Sequence, residues 1–228
     1  MDIDPNAITD VVAIDGPAGA GKSTVARRAA QQLGYAFLDT GAMYRAATWW
    51  AMDQEIDLDD PEALAEAVRR MPLEMREQDG QQRVIVDGRD VTQAIRSPEV
   101  TRRIDKLAGL PGVRVHLVAR QRAAGACGPT VVEGRDIGTV VFPKAKCKIY
   151  MTASLDERAR RRAVDLEAQG RTVDLDAVRE EIRARDNESL TRRESPLRRA
   201  EDAILVDTTS MTLDQVIDRI VELARAAQ

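Results

Sequence analysis

Gly16-Pro17-Ala18-Gly19-Ala20-Gly21-Lys22-Ser23 fits the pattern G-x-x-x-x-G-K-[ST] of a phosphate-binding loop, and Thr24 follows it. The flanks agree with the letters. Val11-Val12-Ala13-Ile14 before it is a short apolar run that reads as a buried strand. After it, Val25, Ala29 and Leu33 recur on one helical face, and Gly34 marks a stop. Strand, glycine loop and helix together form a device for gripping phosphate. Glycines let backbone N–H groups face an anion without Cβ atoms in the way, and the helix turns its positive end to the same point. Lys22 supplies a mobile charge for the β- and γ-phosphates, and Ser23 a hydroxyl for Mg²⁺. A nucleoside triphosphate is the expected ligand.

The 228 residues suffice for one substantial core with a small insertion. A composition 43% hydrophobic and 32% charged is that of an ordinary soluble protein, and a net charge of −4 argues against general nucleic-acid binding. No apolar run approaches the roughly 18 residues of a membrane span. Met1 to Asp10 is too acidic and polar for a signal peptide, and Cys127 and Cys147 are too few for a disulfide scaffold, so a cytoplasmic address is expected. His116 is the only histidine, which argues against histidine-based nucleophilic or zinc chemistry; its helical stretch places it at the surface or half-buried. Of 34 basic residues only five are lysines. Arginine's planar fork suits phosphate, although a solvated arginine-rich surface accounts equally well for most of them.

Downstream, Tyr35-Ala36-Phe37-Leu38 reads as a strand ending in Asp39-Thr40-Gly41, and a helix through Trp49 and Trp50 begins at Ala42. Polar residues at the carboxyl end of a parallel strand face the ligand crevice. Arg45, one turn into that helix, is either a second phosphate ligand or a surface residue. Asp60-Pro61 opens a further helix, and Asp79-Gly80 joins two strands of an inserted small sheet over about 73–96. Within it, Val84-Ile85-Val86-Asp87 imitates the strand-plus-Asp of a Walker B element and reads as a decoy. Ser97-Pro98-Glu99 and Pro111-Gly112 begin two more helices.

Thr130-Val131-Val132 is a strand ending in Glu133-Gly134-Arg135-Asp136. Glu133 suits Mg²⁺ through water, Arg135 a phosphate and Asp136 a sugar or base; the alternative pairs Arg135 with Asp136. Ser154 to Glu157 is a capping box opening a helix with Arg158, Arg160, Arg161 and Arg162. Past Gly170 a second helix carries Arg179, Arg183, Arg185 and Arg192. The pair reads as a lid over phosphates, or as solvated helices laced by Asp156–Arg160, Glu157–Arg161 and Glu181–Arg185 pairs. Ala203 to Asp207 is the last strand, and Thr212 to Gln215 caps the final helix. The expected fold is α/β: an open parallel sheet of the phosphate-loop kinase type, helices on both faces, a small inserted antiparallel sheet and a helical lid. One domain spans 9–228, the insert 62–108 and the lid 156–193.

These motifs together resemble the bacterial cytidylate kinase family: the phosphate loop, Asp39-Thr40-Gly41-Ala42-Met43-Tyr44-Arg45, Glu133 to Pro143, Arg185-Asp186, Ser195-Pro196-Leu197 and Asp207-Thr208-Thr209. The resemblance implies transfer of the ATP γ-phosphoryl group to CMP or dCMP with Mg²⁺. It implies that Lys22, Arg135, Arg162 and Arg185 act on the reacting phosphates, with Arg158 beside Gly16 to Thr24 on ATP and Ser23 and Glu133 on the metal. Arg45 and Arg135 would hold the acceptor phosphate with Thr40 beside it, Asp136 would contact the nucleoside and Arg114 cytosine, Arg185 and Arg192 would serve sugar, base or phosphates, and Asp39, Asp105 and Ser189 would complete the substrate site. Small nucleotides are the implied partners of a monomer, with neither nucleic acid nor membrane. Two positions depart from the family pattern. Ser189 stands where the family has Asp, and Asp105 where it commonly has Ser near cytosine; Asp105 either meets the base or pairs outward with Arg102. Rival readings are a uridylate or shikimate kinase, or a non-catalytic nucleotide-binding module. A GTPase is disfavoured because the only asparagines, Asn6 and Asn187, provide no Asn-Lys-x-Asp base reader.

Overall fold

The first strand, β1 (Val11–Asp15), alternates its side chains between two apolar layers: Val11 and Ala13 face one, Val12 and Ile14 the other. Both faces must therefore be covered, which is the condition for a parallel sheet. In the computed structural model, which describes residues 4–78, 80–168 and 170–227, they are covered by helices. On one side lie α1 (Lys22–Leu33) and the last helix of the chain; on the other, α2 (Thr40–Asp53) and a later helix in Pro111–Gly125.

Five parallel strands form the main sheet: β1, β2 (Ala36–Asp39), and, later in the chain, β6 (Thr130–Gly134), β7 (Cys147–Thr152) and β8 (Ile204–Asp207). Their spatial order is β2-β6-β1-β7-β8. β1 pairs on both sides, and Asp15 lies level with Gly134 of β6 and Tyr150 of β7. Three loops thus leave the sheet side by side at its carboxyl edge, where such sheets bind ligands.

Between β2 and β6 the chain adds α3 (Pro61–Arg70), the antiparallel strands β3 (Leu73–Gln78), β4 (Gln81–Val86) and β5 (Arg89–Asp90), then α4 (Pro98–Ala108) and α5 (Pro111–Gly125). Asp60 caps α3 by accepting from the Glu62 and Ala63 N–H groups, with Pro61 at the first position, and Ser97 caps α4. The β3–β4 register brings Gln78 opposite Gln81, and Gly80 between them has φ +67°; Asp79, the other residue of the expected Asp79-Gly80 turn, lies outside the described residues. Val84-Ile85-Val86 is strand in this small sheet, away from the phosphate loop. The insert shares its core with the main sheet, since Leu64, Val84, Val86 and Leu107 pack in the layer that holds Val11 and Val132. His116 is half-buried on α5.

After β7 come α6 (Leu155–Glu167), α7 (Leu175–Thr191), β8 and α8 (Leu213–Ala226). Thr212 and Gln215 form the complete capping box expected for α8. At α6 only half of the box forms. Ser154 accepts from the Glu157 N–H at 3.2 Å, but the Glu157 side chain turns to Arg160 and Arg161. Among the described residues no helix is long and apolar enough to cross a membrane.

Gly16 follows β1 at φ +152°, and a Cβ there would stand 1.9 Å from the Met151 carbonyl oxygen of β7. The loop can leave the strand only because residue 16 has no side chain. Since the atom it would meet is backbone, Gly16→Ala should cost at least the ~1–3 kcal/mol typical of overpacking. The urea midpoint is the measurement; an unchanged midpoint would mean that β7 does not approach so closely.

Candidate active site

The phosphate loop turns on three glycines with positive φ: Gly16 at +152°, Gly19 at +73° and Gly21 at +85°. Left-handed geometry at these points faces successive N–H groups inward, and Gly21 hands the chain to α1. Lys22 opens that helix and is buried. Its Nζ donates to the carbonyls of Gly16 and Pro17, both at 2.8 Å. Burial, and then Arg135, lowers its pKa to about 8. A cation folded back on its own loop in this way is ready to exchange two carbonyls for an anion.

Ser23 Oγ donates to Glu133 Oε1 at 2.5 Å, joining the loop to the end of β6. Burial, and then the hydrogen-bonded carboxyl of Asp39, raises Glu133 to about 7, with Lys22 and Ser23 pulling the other way. A hydroxyl and a carboxylate side by side are hard oxygen donors of the kind a divalent cation prefers. Among the described residues no group of three or more His, Cys, Asp or Glu gathers as a cation cage. The fit is therefore to Mg²⁺, which takes few protein oxygens and completes its shell with phosphate and water.

Facing this loop are three guanidiniums from three separate elements: Arg45 on α2, Arg135 after β6, and Arg185 on α7. Burial, and then Arg185, lowers Arg45 to about 10; burial and the same Arg185 also lower Arg135. Arginine does not give up its proton in proteins, so the lowered values measure crowding of like charge in a desolvated place. Arg45 Nη1 donates to Thr101 Oγ1 at 3.1 Å, and Arg135 Nη1 to Gly16 O at 3.1 Å. Asp39 and Glu133 offset Arg45; Asp186, Glu133 and Asp105 offset Arg135. Of these, Asp186 comes nearest to Arg135, at 3.9 Å.

Asp39 serves first as the N-cap of α2, accepting from the Ala42 N–H at 2.8 Å, which starts that helix at Thr40 rather than Ala42. Thr40 donates to the Glu133 carbonyl at 2.7 Å and thereby fixes β2 to β6. Farther along the crevice, Arg114 and Asp136 are both buried and paired, and Arg114 also donates to the Tyr44 hydroxyl at 3.0 Å. The alternative pairing of Arg135 with Asp136 does not occur. Arg192 ends α7, holds the carbonyls of Glu194 and Ser195, and stands beside the Arg114–Asp136 pair. Asp105 lies beside Glu188 and forms no ion pair with Arg102, and Ser189 is buried on α7. Burial, and then the nearby Asp105, raises the pKa of Glu188.

The two arginine-rich helices rest on the phosphate loop. Ala18 packs with Ala159, Leu166, Val178 and Ile182. Arg158 Nη1 donates to Ala18 O at 2.9 Å and to the Asp186 carboxylate, which in turn accepts from the Ala18 N–H at 2.9 Å. Arg158 is thus engaged by the loop and by Asp186, a residue whose role the sequence did not reveal. Arg161 reaches Ala20 O at 3.4 Å and Thr208, whereas no hydrogen bond or ion pair ties Arg162 to the loop among the described residues. Two of the expected ion pairs do not form. Asp156 crosses to Arg179 on α7 at 2.8 Å, and Arg160 joins Arg161 on Glu157. Arg185 does not pair with Glu181, and its charge is felt at Arg45 and Arg135.

Residues 12–226 match the family model described as cytidylate kinase. A cytidylate kinase from Geobacillus sp. (strain WCH70) is 48% identical over 212 residues, covering 93% of this chain and 95% of that protein. A bifunctional pantoate ligase/cytidylate kinase from Synechococcus elongatus is 54% identical over 220 residues, or 94% of this chain. One from Gloeobacter violaceus is 49% identical over 221. The chain spans 42% of the length of each of these two bifunctional relatives. On the family match and these identities, the chain belongs to the cytidylate kinase family.

Proposed function

We propose that the protein transfers the γ-phosphoryl group of ATP to CMP or dCMP, giving ADP and the corresponding diphosphate. The observation that carries this reading is the convergence of Arg45, Arg135 and Arg185 opposite the phosphate loop. A binding module for one nucleotide has no use for a second set of phosphate ligands. An acceptor phosphate placed among these three groups relieves their mutual repulsion.

In this mechanism ATP lies on the loop, and Lys22 leaves the Gly16 and Pro17 carbonyls for the β- and γ-phosphates. Ser23 and Glu133 would hold Mg²⁺, whose positive charge neutralises the phosphates when it is bound. The acceptor is already an anion, so neither a covalent intermediate nor a general base is required. The chain's contribution is alignment, charge neutralisation and exclusion of water as α6 and α7 cover the loop. Asp136, Arg114, Arg192 and Asp105 line the crevice for sugar and base. Cytosine presents an amino donor where uracil presents a carbonyl acceptor. An ionised Asp105 accepts from the first and repels the second, which a serine would not do.

The test is ADP release from ATP with CMP, dCMP, UMP, AMP or shikimate as acceptor. CMP and dCMP should support turnover; activity with shikimate or AMP alone would refute the assignment. In the same assay Asp105→Ser should narrow the ratio of kcat/KM for CMP over UMP by about tenfold, the worth of one charged hydrogen bond. An unchanged ratio would take Asp105 away from the base. Arg45→Ala and Arg135→Ala should each weaken CMP more than ATP. Each loses about 1.5–3 kcal/mol, or roughly ten- to a hundredfold in KM. A loss confined to ATP would show that donor and acceptor sites have been interchanged.

A further inference from the structure

Asp15 ends β1 one residue before the phosphate loop, and the mechanism above makes no use of it. It is 5% exposed, in a position where a charged side chain needs partners. Its two oxygens are fully committed. Oδ1 accepts from the Ile137 N–H and Oδ2 from the Gly138 N–H, both at 2.8 Å. These amides open the π-helical turn Ile137–Val141, directly after Arg135 and Asp136. Leading amides of a helical turn have no partner within it and need an external acceptor. The approach is close: a Cβ on Gly138 would lie 3.5 Å from Asp15 Oδ2 and 3.2 Å from Lys148.

Burial raises the Asp15 pKa to about 6 against the pull of these two hydrogen bonds, so the carboxylate is held in place at a cost. The strand itself does not need it. The Asp15 backbone is registered with Gly134 on one side and Tyr150 on the other, whatever its side chain. What the side chain adds is a link from the donor loop to the acceptor turn, parallel to the Arg135 contact with Gly16 O.

We infer that Asp15 is a positioning residue for the acceptor: its carboxylate clamps the Arg135–Gly138 turn to the strand that feeds the phosphate loop. The distance between acceptor and donor phosphates is thereby fixed from the first strand of the fold. This inference rests on Arg135 being an acceptor ligand.

Asp15→Asn tests it with a change of one atom. The carboxamide oxygen still accepts one N–H, while its NH₂ faces the other and cannot. The KM for CMP should rise about tenfold, the value of one charged hydrogen bond, while the KM for ATP changes less than threefold. Arg135→Ala is the companion measurement. If it raises the KM for CMP and Asp15→Asn does not, the clamp is wrong and the acceptor site stands. If neither variant moves CMP, the acceptor assignment itself fails and the inference falls with it. An equal rise for ATP and CMP in Asp15→Asn would make Asp15 a support of the phosphate loop instead and overturn the proposal. Amide exchange in the unsubstituted protein gives a reading even where the variant does not fold. Ile137 and Gly138 should be protected in the absence of nucleotide, and exchange at the rate of open loops would refute the clamp.

Discussion

The register of β1 between β6 and β7 is the constraint on which the rest of the structure depends. Parallel strands cannot be joined by tight turns, so each must leave the sheet at its carboxyl edge and return by a helix. With Asp15 level with Gly134, the phosphate loop and the Glu133–Asp136 turn emerge together. A shift of one residue would reverse the alternation that sends Val11 and Ala13 to one layer and Val12 and Ile14 to the other, and would bury the wrong face. The hydrophobic layers therefore bring the donor and acceptor loops out at the same edge of the sheet.

Charge is then concentrated where packing has placed it. Lys22, Arg45, Arg135 and Arg185 meet in a desolvated crevice, and three of them hold their protons less tightly than they would in water. Their neighbours Glu133 and Asp15 are raised toward neutrality by the same burial. Like charges gathered with this little screening weaken the fold and strengthen the binding of any polyanion. Asp186 moderates the conflict. It takes the Ala18 N–H, the Arg158 guanidinium and a long contact to Arg135, and so holds the lid helices on the loop.

Much of this was legible in the chain, and the part that was not has identifiable causes. The phosphate loop, the cap at Asp60 and the capping box at Thr212 are local devices whose spacing carries their geometry, and each formed as read. The Walker B imitation at Val84–Asp87 was recognisable from its hairpin context. Of the lid ion pairs, Glu157–Arg161 formed as read, whereas Asp156–Arg160 did not, because α6 and α7 pack together and Asp156 crosses to Arg179. Asp105 and Glu188 belong to elements brought together only by the tertiary fold, so their proximity has no sequence signature. Asp15 follows the apolar run Val11–Ile14 with no signal of its own. Its pairing with amides 122 and 123 residues away emerges only from the sheet order.

The central claim is that one crevice holds two phosphate groups face to face, one on the loop and one among the arginines. A crystal structure with ADP and CMP bound tests it most directly. The account predicts the ADP phosphates on the Gly19–Ser23 amides, Lys22 turned away from the Gly16 and Pro17 carbonyls, and the CMP phosphate within hydrogen-bond distance of Arg45 and Arg135. A CMP phosphate lodged elsewhere, with both arginines left as they stand without nucleotide, would contradict it.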